Sequence, residues 1–247
     1  MNASDVVLEF RNVTKCFKLY RTHRTLFRLA RAFWQRETLA QDLLALAGVN
    51  FQLRKGEKTA LLGLNGSGKT TFLRTACGIL QPTSGEVLRR ETFFPLFNYH
   101  LGLMLDLSVM DNIFLLGAFH GLVAKDVEKK LELILNFCEL DPYLSLPVKH
   151  LSAGQMARLG FGVFMHAGHD FLIFDESTSF GDIIFQHKAA AYFDGLFKDS
   201  SKTVLMTSHD LGSLARHCRR AVWLERGKVR LEGEAALVVE EYSRCYR

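Results

Sequence analysis

Short apolar runs alternate along this chain with longer stretches in which apolar residues recur every three or four positions, and the two patterns divide it into strands and helices. Residues 6–10 and 48–53 predict two short strands. The turn Arg54-Lys55-Gly56-Glu57 leads into the run 59–62, Thr-Ala-Leu-Leu, which suits a strand buried on both faces. A helix is expected through 73–80, and Pro82-Thr83-Ser84-Gly85 separates it from a strand at 86–88. From 106 to about 164 the pattern turns helical: 110–121 is largely apolar, and 123–140 carries Val127, Leu131, Leu135 and Cys138 on one face between charges. Residues 171–174 and 203–207 predict fully buried parallel strands separated by a helix at 184–198. Residues 221–225 and 228–231 flank Arg226-Gly227 as a hairpin, and a helix follows from 235 to the end. The expectation is one α/β domain over 1–247, with a parallel-sheet core and an N-terminal β layer from about 1–95 and 165–247, and a helical insertion at about 96–164.

Composition narrows this picture without overturning it. The chain has 247 residues, 48% hydrophobic and 23% charged, with four prolines, which is ordinary globular usage for one substantial core. Neither a charged and apolar leader nor an apolar run long enough to span a bilayer is found, so a cytoplasmic protein is expected. The five cysteines form no C-x-x-C pair and read as reduced thiols, and the nine histidines show no metal-ligand spacing. The net charge of +5 fits a nucleic acid, an anionic membrane surface or simply a basic enzyme. Its distribution says more. Lys18, Arg21, Arg24, Arg28, Arg31 and Arg36 occur with no acid among them, and Leu26, Phe27, Leu29, Ala30, Phe33 and Trp34 fill a helical arc of roughly 160° opposite Arg24, Arg28 and Arg31. This basic amphipathic helix, at about 18–36, has three open placements: packed on its own domain, against a membrane or membrane subunit, or on nucleic acid. The segregation of aromatics from cations weighs against single-stranded nucleic acid, which favours interleaving.

Chemistry concentrates after residue 62. Gly63-Leu64-Asn65-Gly66-Ser67-Gly68-Lys69-Thr70-Thr71 is a glycine-rich phosphate cradle with every position filled: the glycines turn N–H groups inward, Lys69 reaches the β- and γ-phosphates, and Thr70 offers a hydroxyl to Mg²⁺. Nucleotide binding follows. Asp175 and Glu176 end the apolar run 171–174, where one carboxylate, Asp175, can hold the metal shell and the other, Glu176, can face an attacking water. Leu151-Ser152-Ala153-Gly154-Gln155 opens a predicted helix, so a serine hydroxyl and a helix N-terminus can meet a phosphate there.

In order and spacing, the cradle, Leu151-Ser152-Ala153-Gly154-Gln155 with Arg158-Leu159, Asp175-Glu176 and Thr207-Ser208-His209-Asp210 resemble ABC transporter ATP-binding subunits over nearly the whole chain. The resemblance implies a RecA-like P-loop core using ATP and Mg²⁺, a homodimer, two integral membrane permease subunits, and a peripheral place on the cytoplasmic face of the inner membrane. It implies that Ser152 and Gly154 contact the γ-phosphate bound to the opposite subunit, that His209 holds the γ-phosphate and Glu176 in working geometry, and that Asp182 couples the two sites. Phe17, or alternatively Tyr20, would stack on adenine, a buried structural aromatic being the other reading of Phe17.

Asn12-Val13-Thr14-Lys15, the arginine-rich insertion, Gly181-Asp182-Ile183-Ile184-Phe185-Gln186 and Glu241-Tyr242 resemble the narrower group that exports O-antigen, capsular polysaccharides and teichoic acids, so a lipid-linked polysaccharide is the expected cargo and no nucleic acid is expected. Other cargoes, such as a lipid, a peptide or a small molecule, stay open, as does a soluble ATPase acting on nucleic acid. Two departures stand out. No Gln lies between Pro82 and Gly154, where these subunits place a metal-contacting one; Asn98, His100 and Asp106 are the substitutes at hand. The second glycine of the signature is Ala153.

Overall fold

The computed structural model describes residues 5–20, 40–97, 102–175 and 183–246. The N-terminal layer is a three-stranded antiparallel sheet of β1 (Val6–Tyr20), β2 (Ala40–Arg54) and β4 (Ser84–Arg89) in the order β2-β1-β4. β1 and β2 are each 15 residues long and pair from Val6↔Arg54 to Tyr20↔Ala40, far beyond the short strands expected at 6–10 and 48–53. The reason is local. The register shifts between Phe10 and Val13, where Asn12 has φ 49°, and again on either side of Lys15, so the period-two signal slips and the strand looks broken in sequence. Lys18 is therefore on a strand, not in the expected basic helix, and the rest of that helix, 21–39, lies outside the described residues.

The second sheet has six strands, β5-β6-β7-β3-β8-β9: β3 (Lys58–Leu62), β5 (Phe94–Leu96), β6 (Phe171–Phe174), β7 (Thr203–Met206), β8 (Arg220–Glu225) and β9 (Lys228–Glu234). Neighbours are parallel except β8 and β9, which form the hairpin. β5 was not expected; it is three residues long and holds Pro95, which an edge strand tolerates. Side chains alternate across this sheet. Leu61, Ile173, Leu205, Val222 and Leu224 face the β layer and α1 (Lys69–Ala76), where Phe10 stacks on Phe72 at 4.6 Å. Ala60, Leu62, Phe174, Val204, Met206 and Trp223 face the other way, into one apolar cluster with the helices. α1 ends at Ala76 rather than continuing to 80, because Gly78 takes up φ 81°.

The helical layer comprises α2 (Val109–Phe119), α3 (Ala124–Cys138) and α4 (Ala153–His166), followed by α5 (Ile183–Lys198), α6 (Leu211–His217) and α7 (Ala235–Cys245). α3 and α4 approach closely: a Cβ at Gly162 would fall 2.2 Å from the Cys138 Sγ. The buried Asn112 amide secures the loop before α2 by donating to the carbonyls of Met104, Leu107 and Ser108 at 3.0, 3.2 and 2.8 Å. All five cysteines are free; burial pushes the thiols of Cys77, Cys138 and Cys218 up to about 12, so they stay protonated and inert. No described helix is long and apolar enough to cross a membrane.

Candidate active site

β3 runs into the glycine-rich loop, which α1 then leaves, and the loop is wedged rather than merely turned. Built Cβ atoms show why. At Gly63 a methyl would meet the Leu224 carbonyl oxygen at 2.3 Å, and at Gly68, with φ 107°, the Ala45 carbonyl oxygen at 2.4 Å. Hydrogen bonds complete the wedge: the Gly227 N–H donates to the Ser67 carbonyl at 2.9 Å, and the Ala47 N–H donates to the Gly227 carbonyl at 2.8 Å. The β8–β9 turn and β2 thus grip the loop from below. Gly66, on top, has nothing within 4 Å of its Cβ position.

The first turn of α1 receives no side-chain cap and carries no acid, so its N–H groups and positive dipole end remain available to an anion. The Lys69 ammonium folds over the loop, donating to the Gly63 carbonyl at 2.7 Å and to the Leu64 carbonyl at 3.4 Å. Beside it the parallel register Phe174↔Met206 sets Asp175 next to Thr207. The Asp175 carboxylate accepts from Thr207 at 3.0 Å on one oxygen and from Thr70 at 3.2 Å on the other. Thr207 is buried, which holds that carboxylate in one orientation. A threonine hydroxyl and a carboxylate oxygen are hard donors of the kind Mg²⁺ takes. No group of three His, Cys, Asp or Glu that could hold a metal exists among the described residues. Thr70 and Asp175 are the two described protein groups that would offer oxygens to a cation here.

Two hollows flank the loop. One, of about 240 Å³, has Phe17, Leu43, Leu44, Asn65, Gly66 and Thr71 in its walls, so the β1 aromatic and the cradle share a groove. The Lys15 ammonium lies 5.2 Å from the Phe17 ring centroid. The other, of about 100 Å³, brings together Gly63, Lys69, Ser208, His209, Leu211 and Tyr242. Ser152 and Gly154 belong to neither hollow. Ser152 is exposed at the head of α4, where its hydroxyl accepts from the Gln155 N–H at 3.2 Å and its own N–H donates to the Gln155 side chain at 2.8 Å.

Glu176 and Asp182 lie outside the described residues, as do Asn98 and His100, and nothing is described of the Tyr20 side chain. Asp106 is 87% exposed and pairs with Lys149 at 2.9 Å. Sequence reasoning gave no part to Leu43 and Leu44 in the groove, to Thr207 as the partner of Asp175, or to Gly227 beneath the loop. Only Thr207 carried a signal, as a hydroxyl ending an apolar strand next in the sheet to the one that bears Asp175.

A glycine-rich loop whose helix start is open to an anion, a fixed carboxylate–threonine pair and an exposed helix cap on an α/β core suit a nucleotide-hydrolysing cassette. The ABC transporter family model matches residues 46–179. An O-antigen export ATP-binding protein, RfbB of Klebsiella pneumoniae, is 34% identical over 244 residues, covering 97% of this chain and 98% of its own. A teichoic acids export ATP-binding protein, TagH of Listeria innocua, is 32% identical over 239 residues, covering 96% of this chain and 70% of its own. In fold, the dimeric ATP-binding cassette MJ0796, bound to ADP and Pi, superposes with a TM-score of 0.69 at 22% identity, covering 92% of this chain and 98% of that one. The chain belongs to the ABC transporter family, among its ATP-binding, ATP-hydrolysing proteins.

Proposed function

We propose that this protein drives export of a lipid-linked polysaccharide, of O-antigen or capsular type, across the cytoplasmic membrane, as the ATPase of an ABC exporter. It acts as one nucleotide-binding domain per chain, in a homodimer on the cytoplasmic face beneath two membrane-spanning permease subunits. The observation that carries this is the joining of a glycine-rich loop beside the Thr70–Asp175 pair to likeness along nearly the full chain with O-antigen and teichoic acid export ATP-binding proteins.

Each residue has a task in that reading. The N–H groups from Gly63 to Thr71, including those of Asn65, Gly66, Ser67 and Gly68, hold the phosphates, and Lys69 leaves the loop carbonyls to meet the β- and γ-phosphates. Thr70 and Asp175 would hold Mg²⁺, which when bound screens phosphate charge during transfer. Phe17 stacks on adenine in the groove it shares with the cradle. Glu176 orients the attacking water, and His209, from the hollow beside Lys69, holds the γ-phosphate. Ser152, exposed at the head of α4, and Gly154 in its first turn complete the site of a second copy, and Asp182 links the two sites. ATP binding closes the dimer, hydrolysis reopens it, and the helical layer passes the motion to the permease.

Cells whose only copy carries Lys69→Ala test the cargo. Lipid-linked glycan trapped inside the cytoplasmic membrane is the expected result; a normal glycan coat overturns it and points to a lipid, peptide or small molecule instead.

A further inference from the structure

The C-terminal helix reaches the nucleotide site. Tyr242, on α7, forms a wall of the hollow that holds Lys69, Gly63 and His209. Its ring meets buried Trp223 edge to face at 5.2 Å, and Trp223 pairs across the sheet with Leu62, the residue before Gly63. The far end of α7 is tied down as well: the Tyr246 hydroxyl donates to Glu225 at 2.9 Å, Arg230 donates to the same carboxylate at 2.9 Å, and its guanidinium lies 4.1 Å over the Trp223 ring. Glu225 and Arg230 belong to β8 and β9, the hairpin whose turn donates to the Ser67 carbonyl. One brace therefore supports the cradle at its turn and holds the end of α7, which carries Tyr242, against the same hairpin.

We propose that Tyr242 is a positioning residue for ATP hydrolysis: it backs His209 against the terminal phosphate and transmits occupancy of that phosphate to Trp223. The inference rests on the reading that His209 meets the γ-phosphate. Tyr242 and His209 both line this hollow of about 100 Å³, so the phenol ring bounds the space open to His209. Replacing it with a smaller side chain opens that space. Misplacement of a catalytic group by about 1 Å costs up to roughly a hundredfold in rate with substrate binding untouched.

The chain has two tryptophans, so Trp34→Phe leaves Trp223 as the sole indole reporter. In that full-length background the β,γ-imido analogue of ATP is expected to change Trp223 emission while ADP does not, and Tyr242→Leu is expected to abolish the difference. In steady-state hydrolysis Tyr242→Leu should lower kcat about tenfold with KM within about twofold, and Tyr242→Phe should restore it. Equal responses to ADP and the imido analogue overturn the inference even if Tyr242→Leu fails to fold. A wild-type kcat in Tyr242→Leu beside a crippled His209→Ala overturns it alone, whereas an unimpaired His209→Ala removes the His209 reading itself.

Discussion

At the end of β3, Gly63, Ser67 and Gly68 are wedged between β2 and the β8–β9 hairpin, whereas Ser152 at the head of α4 stands exposed, its hydrogen bonds among the described residues lying within its own first turn. Both are helix N-termini that suit phosphate. The first is set inside its own chain, with Lys69 laid over the loop and Thr70, Asp175 and Thr207 joined by hydrogen bonds; the second is finished locally by its capping box and lines neither of the two hollows. The resemblance to ABC transporter ATP-binding subunits implies that this second N-terminus serves another copy, and the exposure of Ser152 leaves it open to one.

The largest expected effect breaks the wedge. Gly68→Ala forces a left-handed backbone that costs about 1–3 kcal/mol, and its methyl meets the fixed Ala45 carbonyl, so ATP affinity should fall about a hundredfold by calorimetry. Gly66→Ala, with open space at its Cβ, should lose no more than about tenfold. Next come the two hydroxyls. Thr207→Val removes the buried donor to Asp175 and should cost about 1–2 kcal/mol in denaturant unfolding, with hydrolysis falling alongside. Ser152→Ala loses a helix cap, about 1 kcal/mol, and should lower hydrolysis while leaving nucleotide affinity of the single chain unchanged. A smaller effect tests the base groove: Lys15→Met removes a cation–π contact of about 0.5–1 kcal/mol behind Phe17, so KM for ATP should rise two- to fivefold.

An effect of pH rather than of nucleotide lies at the seam between the sheet and the helical layer. His169 stacks on Phe94 at 3.4 Å and its Nε2 is 3.2 Å from the His120 Nδ1. Burial first, and then the neighbouring His120, lower its pKa to about 4. The folded state holds this ring neutral while the unfolded chain protonates it near its ordinary value. Its contribution is thus fully present above about pH 6.5 and is lost as pH falls toward 4. His169→Gln should flatten the acid side of the denaturant midpoint between those values.

How much of this could be read in sequence follows from how local each feature is. The cradle was legible because turn, dipole and lysine are all specified within nine residues, and β6 and β7 because a fully buried strand needs an unbroken apolar run. The full length of β1 and β2 was hidden by bulges near Asn12 and Lys15 that shift the inward face, and β5 by Pro95 and its three-residue length. Thr207 beside Asp175, Leu43 opposite Phe17 and Tyr242 in one hollow with His209 are meetings of distant segments, which the sheet order and the packing of α7 create.

The shared site is tested most directly by sedimentation of the full chain with ATP in the slow-hydrolysis background Glu176→Gln. The account predicts a doubling of mass on adding ATP, and a monomer that still binds one nucleotide per chain when Ser152→Arg is added. A dimer that persists with Ser152→Arg, or nucleotide lost from the monomer through that change, would contradict it.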